Sequence, residues 1–201
     1  MSEASLKMAR TKSIKYDRVL EAARAAFLDK GPSATMAEIA RRAGVAEGTL
    51  YRFVDSKDEL LRRATDVDGL EPGWLTDMLA RVGRGELTTE LVEAGMRSLG
   101  FFRTLLSMLM IRGARPKASY KEDRASPLPP QVLKQTTAFF AAEQQLGRIH
   151  KKVDPDVVGR AFLGGLMSYA IYEMTLRGPQ PPAEGYVRAL VRLLFAGCAP
   201  R

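Results

Sequence analysis

The chain has 201 residues, 46% of them hydrophobic and 27% charged, with a formal net charge of +8. That balance allows a sizeable buried core and excludes a disordered or collagen-like protein, while the positive excess favours polyanionic partners, nucleic acid before anionic membrane. The first third is the more basic per residue, and in the opening arm Lys7, Arg10, Lys12 and Lys15 are opposed only by Glu3.

In chain order, Ser13 is positioned to cap a first helix in which Leu20, Ala23 and Phe27 recur at helical spacing, and Gly31-Pro32 ends it. Thr35-Met36-Ala37-Glu38 is a capping box that opens a short second helix stopping at Gly44. A third helix follows from Ala46 to Phe53. Ser56-Lys57-Asp58-Glu59 is a second capping box, and it starts a fourth helix with Leu60 and Leu61 on its buried side. "GLEPG" (69–73) interrupts the pattern and marks a domain boundary. Longer helices are expected over 74–82, 87–112, 130–146, 154–177 and 184–197. The polar, proline-bearing stretch 113–130 reads as a loop. Asp154-Pro155-Asp156 is a strong helix start, because proline suits the first turn and acids suit the positive helix end. Gly178-Pro179 and Pro181-Pro182 force a corner before the last helix. No alternating strand pattern appears, so the expected fold is all-α. It divides at that boundary into a short N-terminal part over 1–65 and a longer helical bundle over 66–201.

The second and third helices carry the most chemistry. Ile39, Ala40, Val45 and Leu50 are spaced to pack inside the corner that Gly44 turns, which is helix-turn-helix geometry. In such a corner the second helix enters the major groove and presents its first turns to base edges. A glycine inside that helix, Gly48, costs about 1 kcal/mol relative to alanine, so close approach of a base pair or a sugar-phosphate is the reason to keep it. Glu47 can accept from cytosine N4, and Thr49 can serve a base or a phosphate. Tyr51 offers a hydroxyl and a ring, and Arg52 suits guanine or phosphate. Thr35 and Lys57 stand at helix N-termini, where free N–H groups favour a phosphate. Capping alone explains Thr35 and Ser56, and a half-buried packing role would explain Tyr51. The joint order and spacing point to DNA.

The stretches "ATMAEIARRAGVAEGTLYRFVDSKDELL" (34–61) and "VLEAARAAFLDKG" (19–31) resemble the TetR family of bacterial transcriptional regulators. The resemblance is specific, but it covers only the first third of the chain. It implies a homodimer that binds a near-palindromic double-stranded operator, in most cases a repressor released when a small molecule binds the C-terminal domain. It carries DNA-facing roles onto Thr35, Glu47, Gly48, Thr49, Tyr51 and Lys57. The sequence departs from the pattern at Phe53, where a phosphate-contacting histidine or tyrosine is common. Val54 stands where a core phenylalanine is frequent, and Ala46 where a capping serine or threonine is usual.

Helix 87–112 is apolar on two sides, with a small or polar stripe, Gly100, Thr104 and Ser107, between them. The stripe permits a close helix crossing or leaves room for a ligand. With Phe101, Leu105 and Met108, and with Trp74, Met78, Phe139 and Phe140, it makes the candidate pocket for an apolar effector. "GRIHKKVDPDVVGRAFLGGLMSYAIYEM" (147–174) resembles the family's dimer-forming helix. Ala161, Gly165, Ser168 and Tyr172 on that helix, with Val187, Leu190, Val191 and Leu194 on the last, are the candidate dimer interface. Completion of the chain's own core is the alternative for them.

An enzyme is a poor fit. His150 is the only histidine and Cys198 the only cysteine, so neither a histidine triad nor a multi-histidine metal site can be built, and no cofactor is expected. The single cysteine, the lack of an apolar signal core and the absence of a membrane-length apolar run place the chain in the cytoplasm, off the membrane. The rival reading is a DNA-binding architectural or interaction protein with no small-molecule effector.

Overall fold

The computed structural model describes residues 3–66, 72–113, 128–175 and 179–198. The side chains of residues 1–14, the Cys198 side chain and most of the 113–130 stretch lie outside the described residues, as do Gly69, Leu70, Glu71 and Gly178. Among those described, every regular element is helical. The order is α1 (Glu3–Lys30), a 3₁₀ turn (Gly31–Ser33), α2 (Met36–Ala43), α3 (Glu47–Leu50), α4 (Lys57–Ala64) and α5 (Gly73–Ala80). α6 (Leu87–Gly113), α7 (Pro130–Gln145), α8 (Pro155–Thr175) and α9 (Ala183–Cys198) follow. Two compact units result: Met1–Asp66 with Ser107–Lys121, and Val67–Leu106 with Glu122–Arg201.

In the first unit, Val19, Ala22, Ala23, Ala26 and Phe27 of α1 are buried against Met36, Ile39, Ala40 and Ala43 of α2. Leu50, Val54, Leu60, Leu61 and Ala64 complete this core, and Leu20, Val45, Phe53 and Ile111 pack at its edge. The small residues of α1 and α2 let the two helices approach closely, while Phe27 and Ile39, both wholly buried, fill the centre. α1 begins at Glu3, well before the expected start, so Ser13 lies inside the helix and not at its N-terminus. α2 is bounded as the sequence dictates. The Thr35 hydroxyl accepts from Glu38 N at 3.2 Å, and the Glu38 carboxylate accepts from Thr35 N at 3.1 Å. Gly44 ends the helix at φ 69°, ψ 37°, a left-handed conformation that costs glycine nothing. Val45 N then reaches back to the Ala40 carbonyl at 3.0 Å.

α3 is shorter than the expected 46–53. Ala46 gives it no side-chain cap. After Leu50 the chain tightens into i→i+3 bonds, with Arg52 N to Thr49 O at 3.2 Å and Phe53 N to Leu50 O at 2.9 Å. The α4 box is shifted by one residue: Ser56 Oγ accepts from Glu59 N at 3.1 Å, but the Glu59 carboxylate takes Asp55 N at 2.7 Å.

In the second unit, α7 packs on α8 and on α5, and α8 packs on α9. Phe139, Phe140 and Phe162 form an edge-to-face aromatic group, with centroids 5.5 and 6.1 Å apart along the series. α8 starts at Pro155, where the Asp154 carboxylate accepts from Asp156 N at 2.9 Å. Glu143 is a buried carboxylate that accepts from Gly83 N at 3.0 Å and pairs with Arg148 Nε at 3.2 Å. The remaining Arg148 nitrogens donate to the Arg84 and Gly85 carbonyls, so this pair fixes the α5–α6 turn against the end of α7.

Candidate nucleic-acid interface

The side chains that the sequence nominates for DNA sit along one short run of the first unit. Leu50 is wholly buried and anchors α3, and its neighbours point the other way. Glu47, Gly48, Tyr51 and Arg52 are exposed and Thr49 is partly exposed. Tyr51 is 52% exposed, too open for a ring that closes the core. The side chains of Glu47, Tyr51 and Arg52 have no hydrogen-bond or ion partner among the described residues. A Cβ added to Gly48 would meet nothing within 4 Å, and its φ is ordinary. Neither packing nor backbone strain in the protein therefore requires a glycine there.

Two helix starts flank this run. Thr35 is exposed at the N-terminus of α2, its hydroxyl already engaged in the capping box. Lys57, the first residue of α4, donates from Nζ to the Pro32 carbonyl at 2.6 Å. That bond draws the start of α4 toward the turn that leads into α2, and it leaves two ammonium donors for an anion. Ion pairs stiffen the frame behind: Lys30 with Glu38, and Arg42 with Asp29 at 2.5 Å. Lys30 and the Thr35 backbone N–H together hold the Glu38 carboxyl at about 2, below its usual 4.5.

Sequence reasoning missed Tyr16 and Arg63. Phe53 is partly buried against Tyr16, ring centroids 5.5 Å apart, and Val54 is buried in the core. Arg63 Nη1 donates to the Tyr16 hydroxyl at 3.0 Å and to the Phe53 carbonyl at 3.2 Å, and Nη2 pairs with Glu59. The Glu59–Arg63 pair was legible at i,i+4 spacing. Its link to Tyr16, 47 residues earlier, has no local signature.

The nominated effector residues divide between core and open surface. Trp74, Met78, Leu105, Met108, Phe139 and Phe140 are buried. Phe101, Thr104 and Ser107 are partly exposed, and Gly100 is exposed with open space where a Cβ would stand. Trp74 Nε1 is buried without a hydrogen-bond partner. A cleft of about 210 Å³ lies elsewhere, lined by Thr88, Thr89 and Val92 of α6 and by Arg188, Val191 and Arg192 of α9.

The nominated dimer residues also divide. Val187 and Val191 are buried within the chain, and an added Cβ at Gly95 would strike Val187 Cγ1 at 2.7 Å. A Cβ at Gly165 would strike Leu190 Cδ2 at 2.8 Å, and the Gly165 carbonyl accepts from the Tyr186 hydroxyl at 3.0 Å. These four residues join α9 to its own chain. Ala161 and Tyr172 are exposed, and Ser168 and Leu194 partly so. The open glycine of α8 is Gly164, on a stripe with Val157, Ala161, Ser168 and Ile171 at helical spacing.

Among the described residues no group of three or more His, Cys, Asp or Glu side chains is arranged to hold a metal ion. No described helix is long and apolar enough to cross a membrane.

Residues 19–64 match a family model described as bacterial regulatory proteins, tetR family. Among solved structures, the chain resembles a protein described as a TetR-family transcriptional regulator from Mesorhizobium loti MAFF303099. The two are 21% identical over 94% of this chain and 98% of that one, with a TM-score of 0.72. It also resembles the TetR transcriptional regulator SCO0520 from Streptomyces coelicolor, 22% identical over 92% of this chain and 98% of that one, TM-score 0.60. A third is SmeT in complex with triclosan, 16% identical over 93% and 92% of the two chains, TM-score 0.61. SmeT is described elsewhere as the repressor of the Stenotrophomonas maltophilia multidrug efflux pump SmeDEF. Residues 19–64 therefore match the tetR family of bacterial regulatory proteins, and the chain shares its fold, along nearly its whole length, with solved TetR-family regulators.

Proposed function

We propose that the protein is a dimeric transcriptional repressor that binds a palindromic operator and releases it when a small apolar ligand occupies the C-terminal domain. Residues 1–65 form the DNA-binding domain, and 66–201 the effector-binding and dimerisation domain. The observation that carries the reading is the row Glu47, Gly48, Tyr51 and Arg52. It is exposed, its charged and hydroxyl groups are unpartnered among the described residues, and it lies between two capped helix starts. α3 reads bases through Glu47, Thr49 and Arg52, Gly48 lets the backbone close on the groove, and Thr35, Tyr51 and Lys57 hold phosphates. The dimer seam runs along the open stripe of α8 through Ala161, Gly164 and Ser168 and takes in exposed Leu193 of α9. The apolar character of the effector is supported by the aromatic core of α7 and α8 and by the triclosan seen with SmeT.

Selection of bound duplexes from a random library tests the reading. An enriched inverted repeat is expected, and a ligand that raises the melting temperature is expected to weaken binding to it. A library with no enriched sequence contradicts operator recognition, whereas enrichment that no ligand alters favours the architectural alternative.

A further inference from the structure

A small group of side chains closes the recognition turn from behind. Phe53 sets its ring against Tyr16 of α1, with centroids 5.5 Å apart and planes at 44°. That ring offers a nucleic acid no polar group. Tyr16 does offer one. Its hydroxyl oxygen accepts from Arg63 Nη1 at 3.0 Å, and the same nitrogen donates to the Phe53 carbonyl at 3.2 Å. The other guanidinium arm is held by Glu59, whose second oxygen takes the Asp55 N–H. One arginine thus ties α1, the end of the recognition turn and the start of α4.

The direction of the Tyr16 bond decides what the hydroxyl can still do. A guanidinium only donates, so the phenolic oxygen is the acceptor and its own proton is unspent. Nothing among the described residues accepts that proton, and Tyr16 is partly exposed. A hydroxyl whose oxygen is engaged by a cation is polarised toward donation. The acceptor it suits is anionic oxygen, and at a DNA interface half or more of the hydrogen bonds go to phosphate and sugar. Arg63 itself is balanced by Glu59 and makes three internal contacts, which suits it to holding Tyr16 rather than to meeting DNA.

We propose that the Tyr16 hydroxyl donates to a DNA phosphate beside the recognition helix, with Arg63 as the positioning residue that fixes Tyr16 and the Phe53 carbonyl to one point. The proposal rests on α3 entering the major groove. It adds α1 to the elements that hold the DNA backbone and joins that contact mechanically to the recognition turn.

The test uses the full-length wild type with Tyr16→Phe, Arg63→Gln, the double variant and Lys57→Ala, on the selected operator. A set of operators carrying a single methylphosphonate, which removes one phosphate charge at a time, completes it. Tyr16→Phe keeps the ring on Phe53 and is expected to weaken operator binding about tenfold. Its salt dependence should equal that of the wild type, since a neutral hydroxyl displaces no counterion, and it should still melt cooperatively, at a temperature lowered only by the lost Arg63 bond. One methylphosphonate position should weaken the wild type and leave Tyr16→Phe unaffected. Arg63→Gln should lose sensitivity at that same position, and the double variant should bind no more weakly than Arg63→Gln. Should Arg63→Gln fail to fold, Tyr16→Phe and the methylphosphonate series still decide. Unchanged affinity of Tyr16→Phe, or equal methylphosphonate losses in both proteins at every position, would overturn the proposal. If Lys57→Ala still weakens binding in that case, the groove reading stands and only the Tyr16 contact fails. A wild type that binds no duplex selectively overturns both.

Discussion

At the scale of single residues, Tyr51 and Lys57 carry the clearest consequences. The Tyr51 ring is half exposed and its hydroxyl has no partner among the described residues, so Tyr51→Phe removes nothing from the folded protein. It should weaken operator binding several-fold with an unchanged melting temperature. Lys57→Ala gives up the bond to the Pro32 carbonyl, at a cost of about 1 kcal/mol of stability. It should also reduce the salt slope of binding by about one, the mark of a lost phosphate contact. Unchanged affinity in both variants would remove these residues from the interface. Glu38 supplies a different readout. Its carboxyl titrates at about 2 in the fold and at about 4.5 when free, because Lys30 and Thr35 N–H hold the charged form. A depressed carboxyl stabilises the fold fully above pH 4.5, and that contribution disappears as the pH falls toward 2. Thermal melts across this window should show Glu38→Gln losing less stability than the wild type. A parallel decline would mean that the charge of Glu38 contributes nothing to stability. Thr35, Glu38, Ser56 and Gly44 were legible in the sequence because each acts on backbone within four residues. Tyr16 and Arg63 were not, since only the packing of α1 against α4 brings them together.

At the scale of elements, α2 and α4 have the bounds their caps dictate, and α3 does not. Its expected last turn is replaced by tight i→i+3 bonds, an outcome that apolar spacing cannot distinguish from a continuing helix. α1 shows the opposite error. A plausible capping serine lies in mid-helix, because a cap signal is outweighed when the flanking residues continue the helix. In the proposed reading, Gly48 sets function against local stability. The space around it is open, so Gly48→Ala should stabilise the free protein by up to about 1 kcal/mol. The same methyl group should weaken operator binding, because it stands where the groove is to approach. A variant that is stabilised and binds as tightly as the wild type would leave the glycine without a functional reason.

At the scale of the molecule, the all-α class and the succession of helices followed from periodicity and punctuation, and the faces of α8 did not. Gly164 and Gly165 are adjacent and chemically identical, yet one opens outward and the other is closed by Leu190. Likewise Val187 and Val191 read as a free apolar face until α9 is placed, when they complete the chain's own core. The stripe left open holds Val157, 60% exposed, and Ile171, 41% exposed, with Leu193 of α9 at 73%. Charge placed there should not disturb the core. Ile171→Glu combined with Leu193→Glu should convert a dimer to a folded monomer in sedimentation and abolish high-affinity binding to a two-half-site operator, since each half-site then meets a single recognition helix. A variant that stays dimeric would place the seam elsewhere.

The central claim, that α3 reads a DNA sequence, is tested most directly by titrating the protein against DNA flanking its own gene and against a scrambled fragment, at low and near-physiological salt. Preferential binding to the flanking DNA that persists at the higher salt is the predicted result, because base contacts survive where phosphate attraction alone collapses. Equal binding to both fragments that vanishes with salt would contradict it at this site, reducing the basic surface to nonspecific attraction.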